Sequence, residues 1–507
     1  MNSMVMLNTK IVCVYLLVWI AGVNLAICQA PDANWMNVTH YGVHPNKDSV
    51  STRTIQILID ACNKKGGGTL YFPAGEYTSG QLYLRSNVSF WFEANATLHA
   101  SRNPDHYKKR SGIYVADNQT ALPNERALFY GDSVHHIGFF GKGRIHGQAV
   151  RRWEPLQSVD MFIEKETENA REAGIPMVRY YAVEPKVRLV YINNASHITF
   201  RDITLEEAPD WTLHLGNTDN AVIDGVTILS SLEAGVNADG IDIDGCRNVR
   251  ISNSYIATGD DAICLKSTNR NGRYFNCENI VVNNCTLVST STALKIGTES
   301  HGDFRNIIFS NCVITNTNRG ISIVVRDGAT VENIFFTNLF IHCNRKHFNW
   351  WGDADPIRFI LLKRNADSRL GSIRNIYVKD VFAQGEGTSL IRGFEGRPLE
   401  NIVLDNVHLT MAAESLPDKR ATDILMLDRV KDVTLRHVAL AWDTTRGREA
   451  KWASALHTRQ VDGLRVEWLQ LTGQVGKAMR IKLEQTTRIV TQVKWPATWI
   501  KKDVTVK

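Results

Sequence analysis

Past residue 30 the 507-residue chain has no apolar run long enough to span a bilayer, no CxxC pair and no dense basic stretch, and helical periodicity nearly vanishes after residue 75. Missing sulfur pairs at ligand spacing argue against a zinc site. The missing helices exclude Rossmann and α/β-barrel folds, which alternate strand with helix. Lys plus Arg outnumber Asp plus Glu by 58 to 52, a net +6, too mild for a dedicated nucleic-acid binder but suited to an acidic polymer. Seven cysteines follow residue 30, an odd number at irregular spacing, so no disulfide framework is expected. Asn284-Cys285 and Asn311-Cys312 instead occupy equivalent repeat positions, as small buried residues stacked in an interior row would.

Residues 1–30 read as a signal peptide: Lys10, an apolar stretch from Ile11 to Cys28, then Gln29, Ala30 and Pro31. Cleavage after Ala30 predicts a secreted or periplasmic protein. An uncleaved anchor is the alternative, and lipid attachment at Cys28 is disfavoured because Ile27 stands where a small residue is expected. Hydrophobic residues make up 44% of the chain and charged ones 22%, enough to bury a sizeable core over residues 31–507.

Internal repetition gives the architecture. An Asn or Asp, an alternating strand, a polar pair and a second alternating strand recur from His197, Asn220, Asn248, Asn279, Asn306, Asn333, Asn375, Asn401 and Asp432. The starts are 23, 28, 31, 27, 27, 42, 26 and 31 residues apart. Short β-branched strands at this period fit one coil of a parallel β-helix, an all-β solenoid. One face of each strand fills the interior, and coils about 4.8 Å apart align equivalent side chains. Asn at the turns accepts left-handed backbone and bonds to its neighbours above and below. Ser51 to Lys64 is the one good helix, with Ile55, Leu58, Ile59 and Cys62 on one stripe, placed to cap the N-terminal end of the core. Insertions are expected at about 148–186 and 344–372. The first is a charged loop or short helix that either walls a cleft or is simply solvated; the second holds Trp350 and Trp351, which suit stacking on a sugar ring as well as ordinary packing.

Two consecutive coils hold Asn237–Asp244 (NADGIDID) and Thr258–Ser267 (TGDDAICLKS). Asp239 and Asp260 are 21 residues apart, about one short coil, so Asp239, Asp260 and Asp261 converge. Crowded carboxyls split their pKa values, as acid and base roles in glycosidic hydrolysis require. Adjacent acids in turns also serve simply as hydrogen-bond acceptors, and an oxygen-rich trio also suits calcium.

With YGVHPNKDSVSTRTIQILIDAC, GGGTLYFPAGEYTSGQLYL, GRIHGQ and PDWTLHL, these motifs resemble glycoside hydrolase family 28, the polygalacturonase and rhamnogalacturonase family, over most of the chain. The resemblance implies a right-handed parallel β-helix and inverting hydrolysis. Asp261 would be the general acid, and Asp239 and Asp260 would activate water. An inverting pair sits about 6.5–9.5 Å apart to admit that water.

The chain departs from the family at two points. Thr292 stands where the Gly-His-Gly histidine belongs, and Ser322-Ile323-Val324 replaces the Arg-Ile-Lys that grips a uronate carboxylate. Replacement substrate-binding candidates are Lys266, Lys295, His301, Arg305 and Arg326. Arg326 comes first because it shares strand parity with Ser322 and Val324. Lone histidines such as His214 read as structural. The reading is a secreted, inverting, exo-acting hydrolase of a pectic or otherwise acidic polysaccharide or its oligosaccharides, with no cofactor or metal needed. A lyase on the same scaffold and a non-catalytic carbohydrate-binding protein are the alternatives.

Overall fold

The computed structural model describes residues 34–108, 126–154, 179–346, 351–473, 479–492 and 500–503, with isolated positions between 155 and 178. The leader at 1–30 and Trp350 lie outside them. The strands stack in parallel into a β-helix with three faces. Ile241–Asp244, Ile263–Ser267, Thr292–Ser300, Arg319–Val325 and Asp355–Leu361 follow one another on the first face. Arg247–Ser252 and Cys277–Asn283 belong to the second, Tyr255–Thr258 and Thr286–Ser289 to the third, and Phe304–Thr317 runs across both.

Turn chemistry sets the coils. His197, Asn220, Asn248, Asn279, Asn306, Asn333, Asn375, Asn401 and Asp432, the nine repeat starts, all have φ between 53° and 58°. Asn and Asp tolerate this left-handed conformation better than other non-glycine residues. Each amide also reaches the coil before it: Asn248 Nδ2 donates to Asp219 at 2.8 Å, Asn279 to Asn248 at 3.3 Å, Asn306 to Asn279 at 3.2 Å, and Asn333 to Asn306 at 3.3 Å. Inside, like side chains stack, as in Phe139 on Phe200 at 4.7 Å and Phe309 on Phe336 at 4.9 Å. The expected cysteine row is present: Cys285 and Cys312 are buried in neighbouring coils, and all seven cysteines from Cys62 to Cys343 are free thiols.

Helix Thr52–Lys64 buries Ile55, Leu58, Ile59 and Cys62 against the first coils, as its stripe predicts. Removing those four apolar side chains from water stabilises the cap by roughly 1.5–3 kcal/mol each. The first insertion starts and ends as an antiparallel pair, Arg151–Glu154 with Arg179–Ala182, rather than as a loop or helix. The second needs correction, because Asp355–Leu361 is a regular rung paired with Arg319–Val325. Its residues are buried on nearly every position, so they show no in-out alternation. The long repeat spacing there comes from the loops on either side of that strand.

Candidate active site

Asp239 lies in the turn before Ile241–Asp244, and Asp260 and Asp261 in the turn before Ile263–Ser267. Ile241 pairs with Ile263, and Gly240 N donates to Asp261 O at 2.8 Å, so the two turns lie one on the other. The motif glycines permit this approach. A Cβ on Gly240 would sit 2.4 Å from Ala262 O, and one on Gly259 2.5 Å from Gly235 Cα. All three carboxylates are buried, and one oxygen from each lies within 4.8 Å of the others. That closest approach is shorter than the 6.5–9.5 Å expected of an inverting pair.

The three acids have different surroundings. Asp261 accepts from Lys295 Nζ at 2.5 Å, Ser291 Oγ at 2.9 Å and Thr292 N at 3.1 Å. Burial pushes its pKa up, but the Lys295 and Lys266 ammoniums outweigh burial and hold it below the usual carboxylate range. Asp260 accepts two backbone N–H groups, from Asp261 at 2.9 Å and Asn237 at 3.1 Å, yet burial and the Asp261 charge raise its pKa. Burial, then Asp242 and Asp260, push Asp239 well above the ordinary value. Asp261 is therefore the ionised member, while Asp239 and Asp260 favour holding a proton.

Lys266 lies amid Glu299 at 3.3 Å, Asp242 at 3.6 Å and Asp239 at 3.7 Å, with its ammonium 4.6 Å from the centre of the Trp211 ring. The trio's oxygens could hold a divalent cation, but the two lysine ammoniums already supply positive charge there.

A profile described as glycosyl hydrolases family 28 matches residues 62–344, more than half of the chain. The chain belongs to glycosyl hydrolases family 28. A probable polygalacturonase of Vitis vinifera is 26% identical over 246 residues, 47% of this chain and 45% of that protein. An exo-poly-alpha-D-galacturonosidase of Dickeya chrysanthemi is 25% identical over 254 residues, 45% of this chain and 41% of that protein. The matched region thus spans about half the length of these curated relatives. Among solved structures, the exopolygalacturonase of Thermotoga maritima superposes with a TM-score of 0.60 at 22% identity, covering 76% of this chain and 88% of that one. It shares the fold.

Of the residues singled out in this family 28 sequence, the three aspartates, Lys266 and Lys295 come together. His301 lies farther along, 3.9 Å from Asp327, and its ring is 5.8 Å from that of Tyr274. Arg326 is buried at the end of its strand, its N–H donating to Ser300 Oγ at 2.8 Å. Arg305 pairs with Glu332, Asp303 and Glu278 on the second face, away from the site. Trp351 is half-buried. Near Asn237 the base of the first insertion touches the site, where Lys186 Nζ donates to Asn237 Oδ1 at 3.4 Å.

Sequence reasoning missed Asp242, Glu299 and Trp211. Asp242 is fully buried, neither oxygen has a hydrogen-bond partner among the described residues, and burial raises its pKa to about 8. Its signal was a second carboxylate at strand parity in IDID. His214 stacks on Tyr191 at 4.6 Å and contacts Asp244 at 3.2 Å, and burial pushes its pKa down to about 3.

Proposed function

We propose that this family 28 protein is a glycoside hydrolase that cleaves a pectic or otherwise acidic polysaccharide, or its oligosaccharides, with inversion. The observation that carries the reading is the trio Asp239, Asp260 and Asp261, one oxygen of each within 4.8 Å of the others, with unequal surroundings. Hydrolysis needs a carboxylic acid to protonate the leaving oxygen and a carboxylate to activate water. The proton belongs to the Asp239–Asp260 pair, whose coupled groups titrate together. Asp261, cast by resemblance as the acid, instead fits the base, because three donors and a lysine keep it charged. Lys295 serves as a positioning residue for that carboxylate.

The inverting course rests on the family rather than on carboxyl spacing. Exo action is supported by the name of the Dickeya chrysanthemi relative and by the insertion base beside Asn237, which narrows the groove near the acids. Three loops latched through Arg345, which bonds Glu414 at 2.8 Å and Asp418 at 3.0 Å, add a wall farther along. Residues 31–507 would act as one exported catalytic unit once 1–30 is removed. Among the described residues no helix is long and apolar enough to cross a membrane.

The test is product release from a panel of pectic and other acidic polysaccharides by wild type and by Asp239→Asn, Asp260→Asn and Asp261→Asn. Saturated reducing ends from wild type alone, of inverted anomeric configuration by proton NMR, are the expected result. Unsaturated, chelator-sensitive products would replace this reading with a lyase, and binding without any product would make it a carbohydrate-binding protein.

A further inference from the structure

The outward face of the catalytic sheet changes character one coil beyond Lys295. In register, Lys295 is followed by Ser322, Arg358, Leu390 and Met426. In the neighbouring row Val324 is followed by Ile360. Val324, Ile360 and Leu390 form a hydrophobic cluster separate from the interior of the β-helix, with Leu362 and Met426 packed against it. The three are 3%, 6% and 7% exposed, as residues at the bottom of a narrow cleft are. Nothing in the packing of the coils requires apolar residues on an outer face, so this patch is a feature of the groove.

Charge is balanced around the patch. Lys295 is committed to Asp261 at 2.5 Å, Arg358 to Asp355 at 2.7 Å, Arg364 to Asp327 at 2.7 Å, and Arg392 to Asp428 at 2.9 Å. A carboxylate entering here would lose its water and would have to compete with these existing pairs. The polar groups that do lack partners among the described residues are neutral: Ser322 Oγ and Thr292 Oγ1, both fully buried. Buried hydroxyls of this kind are satisfied by a bound hydroxyl or water. An apolar plate beside unpaired neutral hydroxyls matches a pyranose with hydroxyls on one edge and a methyl-bearing, uncharged group on another.

We propose that the subsite on the C-terminal side of the carboxylate trio takes an uncharged sugar unit, either a methyl-esterified uronate or a 6-deoxyhexose, and disfavours a free uronate. This rests on the hydrolase reading for placing a glycan in the groove. Val324 is the specificity-determining residue, standing where a cation would otherwise meet a carboxylate.

The experiment measures binding by calorimetry to the full chain carrying Asp260→Asn, so that no probe is consumed. Three probes are compared: de-esterified galacturonate oligomers, the same oligomers fully methyl-esterified, and oligomers alternating galacturonate with a 6-deoxyhexose. At least tenfold tighter binding of one or both uncharged-unit probes is expected, and which one names the source of the methyl group. Adding Val324→Lys should shift the preference at least tenfold toward the de-esterified oligomer, whereas Val324→Leu should leave it unchanged. Equal or tighter binding of the de-esterified oligomer overturns the proposal, as does absence of binding to all three, and neither outcome needs the lysine variant to fold. Product release by wild type on the same probes judges the hydrolase reading separately. Hydrolysis without discrimination would sink this proposal alone, and discrimination in binding without hydrolysis would sink the hydrolase reading alone.

Discussion

Lys295 Nζ lies 2.5 Å from Asp261 Oδ2, and the two come from consecutive coils of one parallel sheet. The ammonium raises the acidity of its partner and has its own pKa raised in return, against the effect of burial. Lys295 thereby supplies a cation beside the site although Thr292, three residues earlier, is neutral.

Lys295→Met should raise the pKa of Asp261 and lower kcat by about 10²-fold, the scale of a lost acid–base contribution. If Asp261 acts as base, the acid limb of the pH–kcat/KM profile should move to higher pH. Lys295→Arg should restore much of both. A pH profile that stays in place while KM alone rises would make Lys295 a substrate contact instead.

Asp242 should make stability fall as pH rises. Its pKa goes from an ordinary 3.8 in the unfolded chain to about 8 in the fold. Between those values the native state binds more protons than the unfolded state, so stability contributed by protonation is lost as pH climbs through the window. Asp242→Asn removes that dependence, and thermal melts at pH 5 and pH 8 should differ less in the variant than in wild type by a few degrees.

Gly240→Ala puts a Cβ 2.4 Å from Ala262 O, a backbone atom that cannot step aside. A destabilisation of roughly 1–3 kcal/mol is expected from denaturant melts, the range for overpacked sites. Activity should drop further than stability accounts for, because the displaced segment carries Asp239. A variant that folds and turns over like wild type would show that the two turns tolerate separation.

Asn306→Ala combines a left-handed φ of 56° with loss of the bond to Asn279. The conformation costs about 1–2 kcal/mol for a residue with a Cβ, and the hydrogen bond adds about 0.5–1.5 kcal/mol. Asn306→Gly keeps the conformation and loses only the bond, so it should be the milder of the two. Equal losses would locate the effect in the hydrogen bond.

Much of this was legible because turn chemistry is local. Each repeat start from His197 to Asp432 carries its left-handed conformation in its own identity, and the helix stripe from Ile55 to Cys62 in its spacing. The trio was legible for the same reason, since NADGIDID and TGDDAICLKS hold it within two short segments. What stayed hidden depends on how coils stack. Ile263 pairs with Leu294, 31 residues on, while Ile241 pairs with Ile263, 22 residues on. No fixed period therefore shows that Lys295 reaches Asp261, or that Asp242 faces Lys266. Asp355–Leu361 was hidden differently, being buried on both faces and so lacking the alternation that marks a strand.

The asparagine ladder has a direction. From Asn248 through Asn401, every side-chain amide donates toward the preceding coil, and the series ends on the carboxylate of Asp219. A coil arriving later in the chain brings the donor and finds the acceptor already in place. The scaffold is thus suited to growth in the order of synthesis, starting from the helix-capped end, with each new turn read against a finished template. Removing coils from the C-terminus leaves the remaining donors satisfied, whereas removal from the N-terminus strands the first amide of whatever is left.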